Sequence, residues 1–256
     1  MMTDRLRPAE RLLLDLGIGK PQDIDLEAIA WALGAAVNYR PLDKCEAMIV
    51  GGDRRAIITV NSKSIPVRRR FSIAHELGHW HHHRGRILFC GARDIENLAG
   101  DALDPEKQAD RFASDLILPS FMFMPQVMKM KRLALSSVRE IAGEFEASIT
   151  ATLLKLVESN RFPIMVVCHN KERRRWFRRA QMVPGWWFPR EELDHESIAF
   201  EMLFGGERES KYPRLTEADA WFDFRGADRF EIKEQAFLLP NDEVLTLLIL
   251  PDEAIG

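Results

Sequence analysis

Apolar side chains recur at helical spacing through residues 5–17 and stop at Gly17, which suits a helix C-cap. Asp23 or Asp25 can cap a second helix, which runs through Leu26, Ile29, Ala30 and Leu33 to Gly34. The period then shortens to two. Ala35–Arg40, Ala47–Val50 and Ala56–Val60 read as strands, and Gly51-Gly52-Asp53 turns the last two into a hairpin. Pro66 opens a third helix that ends near Gly85. Asp104-Pro105 starts a fourth, a capping side chain followed by proline in the first turn, and Pro119 ends it at Leu118. Residues 120–160 read as helical throughout. Beyond Asn160 the chain changes character, with short β-rich runs at Ile164–His169, Arg173–Gln181, Arg229–Leu239 and Val244–Leu250.

Composition narrows the class. The 256 residues are 46% apolar and 29% charged, enough to pack a core in one large or two modest domains. A net charge of −3 excludes a generally basic nucleic-acid coat and a highly charged disordered chain, so any nucleic-acid contact must come from a local patch. Cys45, Cys90 and Cys168 are too few and too far apart for a disulfide framework or a cysteine-only zinc cage, which points to a reducing cytoplasm. No apolar run approaches the roughly 20 residues that cross a bilayer, so no membrane role is expected.

Five of the seven histidines lie between positions 75 and 83, and His75-Glu76-Leu77-Gly78-His79 has the HExxH spacing. Positions i and i+4 share a helix face about 6 Å apart, so His75 and His79 can converge on one zinc ion as neutral nitrogen ligands. Glu76 is offset around the helix, where it can reach a water held by the metal without binding the metal itself. A catalytic zinc needs a third protein ligand and one open position. The helix opened by Pro105 offers Glu106 and Asp110, which are also i and i+4. Glu106 is the expected third ligand. Asp110 is the expected acceptor for the far N–H of a metal-binding histidine, the contact that fixes its tautomer. In such a site zinc acidifies the water and polarises a scissile carbonyl, while Glu76 moves the proton. Manganese or another divalent ion can occupy the same donors. Glycine at 78, in mid-helix, costs up to about 1 kcal/mol relative to alanine, which a close backbone approach beside a metal would explain.

PVRRRFSIAHELGHW (66–80) followed by EKQADRFASDLILP (106–119), with ALGAAVNYRPL and ITVN upstream, resembles the ImmA/IrrE family of zinc metallopeptidases over about residues 5–120. The resemblance implies that His75, His79 and Glu106 bind zinc, that Glu76 is catalytic, and that Asp110 occupies the family's Asn/Asp position. It implies an α+β chain with a zincin-like metallopeptidase domain at 1–125. Some members add a helix-turn-helix-like segment and a GAF-like C-terminal domain. This chain can match both, with a helical segment at 126–160 and an α/β sensor-like domain at 161–256. The implied activity is site-specific cleavage of a helix-turn-helix repressor, often encoded alongside, which induces a stress, DNA-damage, phage or mobile-element response. Two other classes stay open: a DNA-binding or signalling regulator with a structural zinc, and a toxin–antitoxin component acting by binding.

Several weaker signals accompany this one. Cys90 lies between His79 and Glu106, where its thiolate could close the open metal position and inhibit the enzyme. His81, His82 and His83 read as the solvated end of the active-site helix. Tyr39, Tyr212, His82 and His83 are equal candidates for a second oxyanion donor. The strand Ala56–Val60 is a candidate for main-chain pairing with an extended substrate. Ser136–Ser159 has the outline of a helix-turn-helix, but its second helix carries one Lys and one Glu, a poor phosphate-binding surface. Arg68-Arg69-Arg70 reads as a solvated helix turn or as carboxylate partners. Lys171, Arg173, Arg174, Arg175, Arg178 and Arg179, interleaved with Trp176 and Phe177, form the densest basic run. They are the candidate contact for a single-stranded DNA effector, although one face of an alternating strand would give the same pattern.

Overall fold

The computed structural model describes residues 6–83, 104–206 and 209–255. The chain adopts the expected α+β class and divides into two compact units. One unit holds the chain up to Pro125 together with Ala142–Ser148, and the other holds Gln126–Ile141 and the chain from Ile149 onward.

The first unit begins with α1 (Pro8–Asp15) and α2 (Leu26–Ala32). Of the two capping candidates for α2, Asp25 takes the role, its carboxylate accepting from the Glu27 and Ala28 amides. Gly17 and Gly34 follow the two helices with positive φ, as helix ends require. Three strands come next, β1 (Ala35–Arg40), β2 (Ala47–Gly51) and β3 (Ala56–Asn61). Alternation in β3 buries Ala56, Ile58 and Val60 on one face. The strand order is β1-β3-β2, with β1 parallel and β2 antiparallel to β3. The expected substrate strand is therefore misplaced: β3 is paired on both sides, and its backbone groups are committed to its neighbours. Among the described residues β2 lacks a partner on its outer side.

Two long helices complete the unit, α3 (Pro66–His83) and α4 (Pro105–Ile117). Trp80 Nε1 donates to the Leu33 carbonyl at 2.9 Å and ties α3 to the end of α2. At the far end of α4, buried Asp115 pairs with Arg7 at 2.7 Å. Glu10 accepts from the Arg7 and Ser120 amides nearby, so α1 fastens α4 by buried, charge-assisted contacts. The region 120–160, expected to be helical, contains α5 (Ser120–Lys129), α6 (Leu135–Glu144) and α7 (Ile149–Glu158).

The second unit is built on a five-stranded sheet, antiparallel throughout, in the order β5-β4-β8-β7-β6. Its strands are β4 (Ile164–His169), β5 (Arg174–Arg179), β6 (Arg214–Glu217), β7 (Glu231–Leu238) and β8 (Val244–Ile249), with α8 (Ile198–Gly205) between β5 and β6. Every residue of β4 is buried, as expected for a strand covered on both faces. Trp187 anchors the aromatic part of the core, edge-on to Phe222, Phe224 and Phe230, with its indole N–H on the Ala254 carbonyl.

His169, 1% exposed, donates Nε2–H to the Arg190 carbonyl, and burial pulls its pKa down to about 4. The unfolded chain binds this proton near the ordinary value of about 6.5, so the neutral ring stabilises the fold above that pH. The contribution, roughly 3 kcal/mol, is lost as the pH falls from 6.5 toward 4. Urea midpoints followed by tryptophan emission are expected to drop across this window in the wild type and to drop less in His169→Gln. Parallel profiles would remove His169 as the cause.

Candidate active site

Helices α3 and α4 bring the sequence-predicted residues together. Asp104 caps α4 through the Glu106 amide at 3.1 Å, and Pro105 sets the first turn, so Glu106 is presented at the very start of the helix. His75 Nε2 and His79 Nε2 lie 3.1 Å apart. The Glu106 carboxylate is 3.2 Å from His75 Nε2 and 3.3 Å from His79 Nε2. Two imidazole nitrogens and a carboxylate are the donors zinc selects, and bond lengths of 2.0–2.2 Å around a tetrahedral ion put neighbouring ligand atoms about 3.3 Å apart. The three donors have that spacing, so the residues present fit a zinc-sized divalent ion.

Asp110, one turn after Glu106, accepts from His75 Nδ1 at 2.9 Å. With the proton held on Nδ1, the Nε2 lone pair faces the cluster, the tautomer a metal requires. Burial lowers the pKa of His75, but the Asp110 hydrogen bond and the carboxylates of Glu76, Asp110 and Glu106 outweigh it, and the net shift is upward. The local field therefore favours positive charge at this point. Asp110→Ala is expected to weaken zinc binding about 10–100-fold with the fold intact, measured by competition with a chromogenic chelator. An unchanged affinity would mean that Asp110 does not orient the ligand.

Glu76 is 2% exposed, beside the cluster and outside its donor set. Cys45, just before β2, has its thiol pKa raised by burial and by the carboxylates of Glu76 and Glu46. Cys45 thus stands near Glu76, a placement no sequence signal announced. Gly78 faces α4 between the two histidines, and a Cβ there would lie 2.7 Å from the Cα of Ala109. The close approach anticipated for this glycine is real, and its partner is the backbone of the carboxylate-bearing helix.

Other candidates are placed elsewhere. Tyr39 donates its hydroxyl to Glu27 at 2.5 Å, and burial with that contact pushes its pKa up to about 12. Together with Arg69 and Arg70 it lines a polar pocket of about 380 Å³ in the first unit that includes none of the metal donors. Arg70 pairs with Glu146 and Arg68 with Glu46, one of the two readings open for that triplet, while Arg69 lies over the Tyr39 ring. Tyr212 belongs to the other unit. His81 and His82 are exposed, with His81 stacked on Phe112. Cys90 and the side chain of His83 lie outside the described residues. In the basic run, Arg174 stacks on Phe177 and Phe188 and donates to the Pro189 carbonyl. Arg175 pairs with Glu243, and Arg179 donates to the Gly185 carbonyl. Trp176 is half-buried, whereas Lys171, Arg173 and Arg178 are exposed.

No curated protein sequence matches the chain at a significant level. Among solved structures, a Mycobacterium tuberculosis transcriptional regulator matches with a TM-score of 0.60 at 15% identity, over 96% of this chain and 87% of that one. That likeness concerns the fold. Among the described residues, no helix is long and apolar enough to cross a membrane. The profile of the peptidase M78 family, described as the IrrE N-terminal-like domain, matches residues 30–157. It extends beyond the motif blocks to take in α5, α6 and most of α7. Since the match spans half of the sequence and includes both helices of the cluster, the chain belongs to this ImmA/IrrE family of metallopeptidases.

Proposed function

We propose that the chain is a zinc-dependent endopeptidase that cleaves a helix-turn-helix repressor at one site and so induces a stress or mobile-element response. The observation that carries the enzymatic part is the tetrahedral spacing of the His75, His79 and Glu106 donors beside a buried Glu76. The substrate class rests on the family resemblance. A divalent ion held by those donors would acidify a water molecule and polarise the scissile carbonyl. Glu76 then takes a proton from the attacking water on a carboxylate oxygen and delivers it to the departing amine. Asp110 keeps His75 in the lone-pair-inward tautomer throughout.

Extended substrate fits β2 rather than β3. Bonds from the Asn61 amide to the Glu46 carbonyl and from the Gly52 amide to the Arg55 carbonyl set which pairs are bonded across the hairpin. By that alternation the backbone groups of Ala47, Ile49 and Gly51 face the outer edge. Strand β2 packs against α3, the helix that carries Glu76, so a substrate strand added at its outer edge would lie on the sheet that supports the site.

For an effector strand of single-stranded DNA, the exposed cations Lys171 and Arg173 are the first candidate phosphate contacts, since Arg174, Arg175, Arg178 and Arg179 each contact another group within the protein. A second reading, a regulator that does not cut, draws support from the M. tuberculosis neighbour, which is a transcriptional regulator. DNA reading by α7 is poorly supported, because its one lysine, Lys155, is 4% exposed. Incubation with the neighbouring repressor, with and without Zn²⁺, Mn²⁺ and single-stranded DNA, distinguishes these readings by mass spectrometry. The peptidase reading expects one discrete, metal-dependent cut. An intact repressor under every condition supports the regulator.

A further inference from the structure

The helices carrying the cluster meet at their smallest residues. His75, Gly78 and His79 on α3 face Glu106, Ala109 and Asp110 on α4, two sets with the same i, i+3, i+4 spacing. At the centre, a Cβ on Gly78 would stand 2.7 Å from the Ala109 Cα, 3.0 Å from its carbonyl oxygen and 3.2 Å from its Cβ. Two of those three atoms are backbone, so no rotamer change on α4 relieves the clash. We propose that the contact between Gly78 and Ala109 is the positioning device of the metal centre: it sets the α3–α4 separation that lets Asp110 reach His75. This rests on the metal-dependent reading above.

The magnitudes support a positioning role over general packing. Ordinary van der Waals contact begins near 3.4 Å, so one added methyl drives the helices apart by about 0.7 Å at this point. Metal sites tolerate about 0.2 Å. Glu106 has a long side chain that can follow such a shift, but Asp110 has a single methylene. Its hydrogen bond to His75, now 2.9 Å, would stretch beyond the range of roughly 3.2 Å in which such bonds hold. His75 would then lose the partner that fixes its tautomer. Intrinsic helix propensity acts the other way, since alanine is favoured over glycine in mid-helix. A glycine with open space beside it would therefore be improved by alanine, whereas Gly78 has the Ala109 backbone against it.

The test measures zinc affinity and the visible spectrum of the cobalt-substituted protein, without substrate. Gly78→Ala is expected to bind zinc about tenfold or more weakly with an altered cobalt spectrum. Adding Ala109→Gly is expected not to restore affinity, because the obstructing atoms are backbone. Combined with Asp110→Ala, Gly78→Ala is expected to cost less than it does alone, since both act through one hydrogen bond. If Gly78→Ala does not fold, the milder Ala109→Ser is measured instead, with a smaller loss in the same direction expected. Wild-type zinc affinity in a folded variant, restoration by Ala109→Gly, or full additivity with Asp110→Ala would overturn the proposal. A wild type that binds zinc while Gly78→Ala binds equally well refutes positioning alone. A wild type that binds no zinc refutes the metal reading and this inference together.

Discussion

Glu76→Gln is expected to abolish repressor cleavage while zinc remains bound. The substitution keeps size and shape but removes the group that accepts a proton. Positioned general acid–base catalysis contributes about 10²–10⁴-fold, so the residual rate should fall by at least that range. Zinc content should be unchanged, because Glu76 is outside the donor set of His75, His79 and Glu106. Burial at 2% exposure matters here: a carboxylate kept from bulk water exchanges its proton with the substrate rather than with solvent. Single-turnover cleavage assays and metal analysis on the same preparation check both halves. A Glu76→Gln protein that cuts at the wild-type rate would show that the proton is handled elsewhere.

The second large effect is expected at the carboxylate end of the cluster. Glu106→Ala removes one of three protein donors and leaves two imidazoles 3.1 Å apart with no anion between them. The loss should exceed the 10–100-fold expected for removing Asp110, because a direct ligand disappears rather than its support. Cleavage should vanish at stoichiometric zinc and return in part at high zinc, whereas Glu76→Gln should not recover at any concentration. Helix α4 itself should persist, since its start depends on the Asp104 carboxylate and the Glu106 backbone amide, not the Glu106 side chain. Normal zinc affinity in Glu106→Ala would displace Glu106 from the site.

Much of the site is legible in the sequence because its geometry is local. Spacing of i and i+4 on one helix puts His75 beside His79 and Glu106 beside Asp110 without knowledge of the fold, and Asp104-Pro105 marks where the second helix begins. Gly78 is legible as an anomaly of helix propensity, but its partner Ala109 is not, since only the crossing of two helices brings them together. Strand order is equally hidden. Alternation identifies β3 as half-buried but does not tell a central strand from an edge strand, so it points substrate pairing at the wrong one. In the basic run, composition does not reveal that Phe188, Pro189, Gly185 and Glu243 engage three of its arginines. The helix α8 leaves no signal because IAFEMLFG is apolar around most of its circumference and shows no period, and β6 spans only four residues. Glu234 is invisible for a related reason. It is fully buried beneath α8, accepting from the Ile198 amide and the Trp221 indole, contacts made by residues 36 and 13 positions away.

Diffraction from zinc-loaded crystals, recorded on both sides of the zinc absorption edge, tests the metal centre most directly. A single anomalous peak is expected between His75 Nε2, His79 Nε2 and the Glu106 carboxylate, about 2.0–2.2 Å from each. No peak between the paired histidines, or an ion bound there with Glu106 turned away, would contradict it.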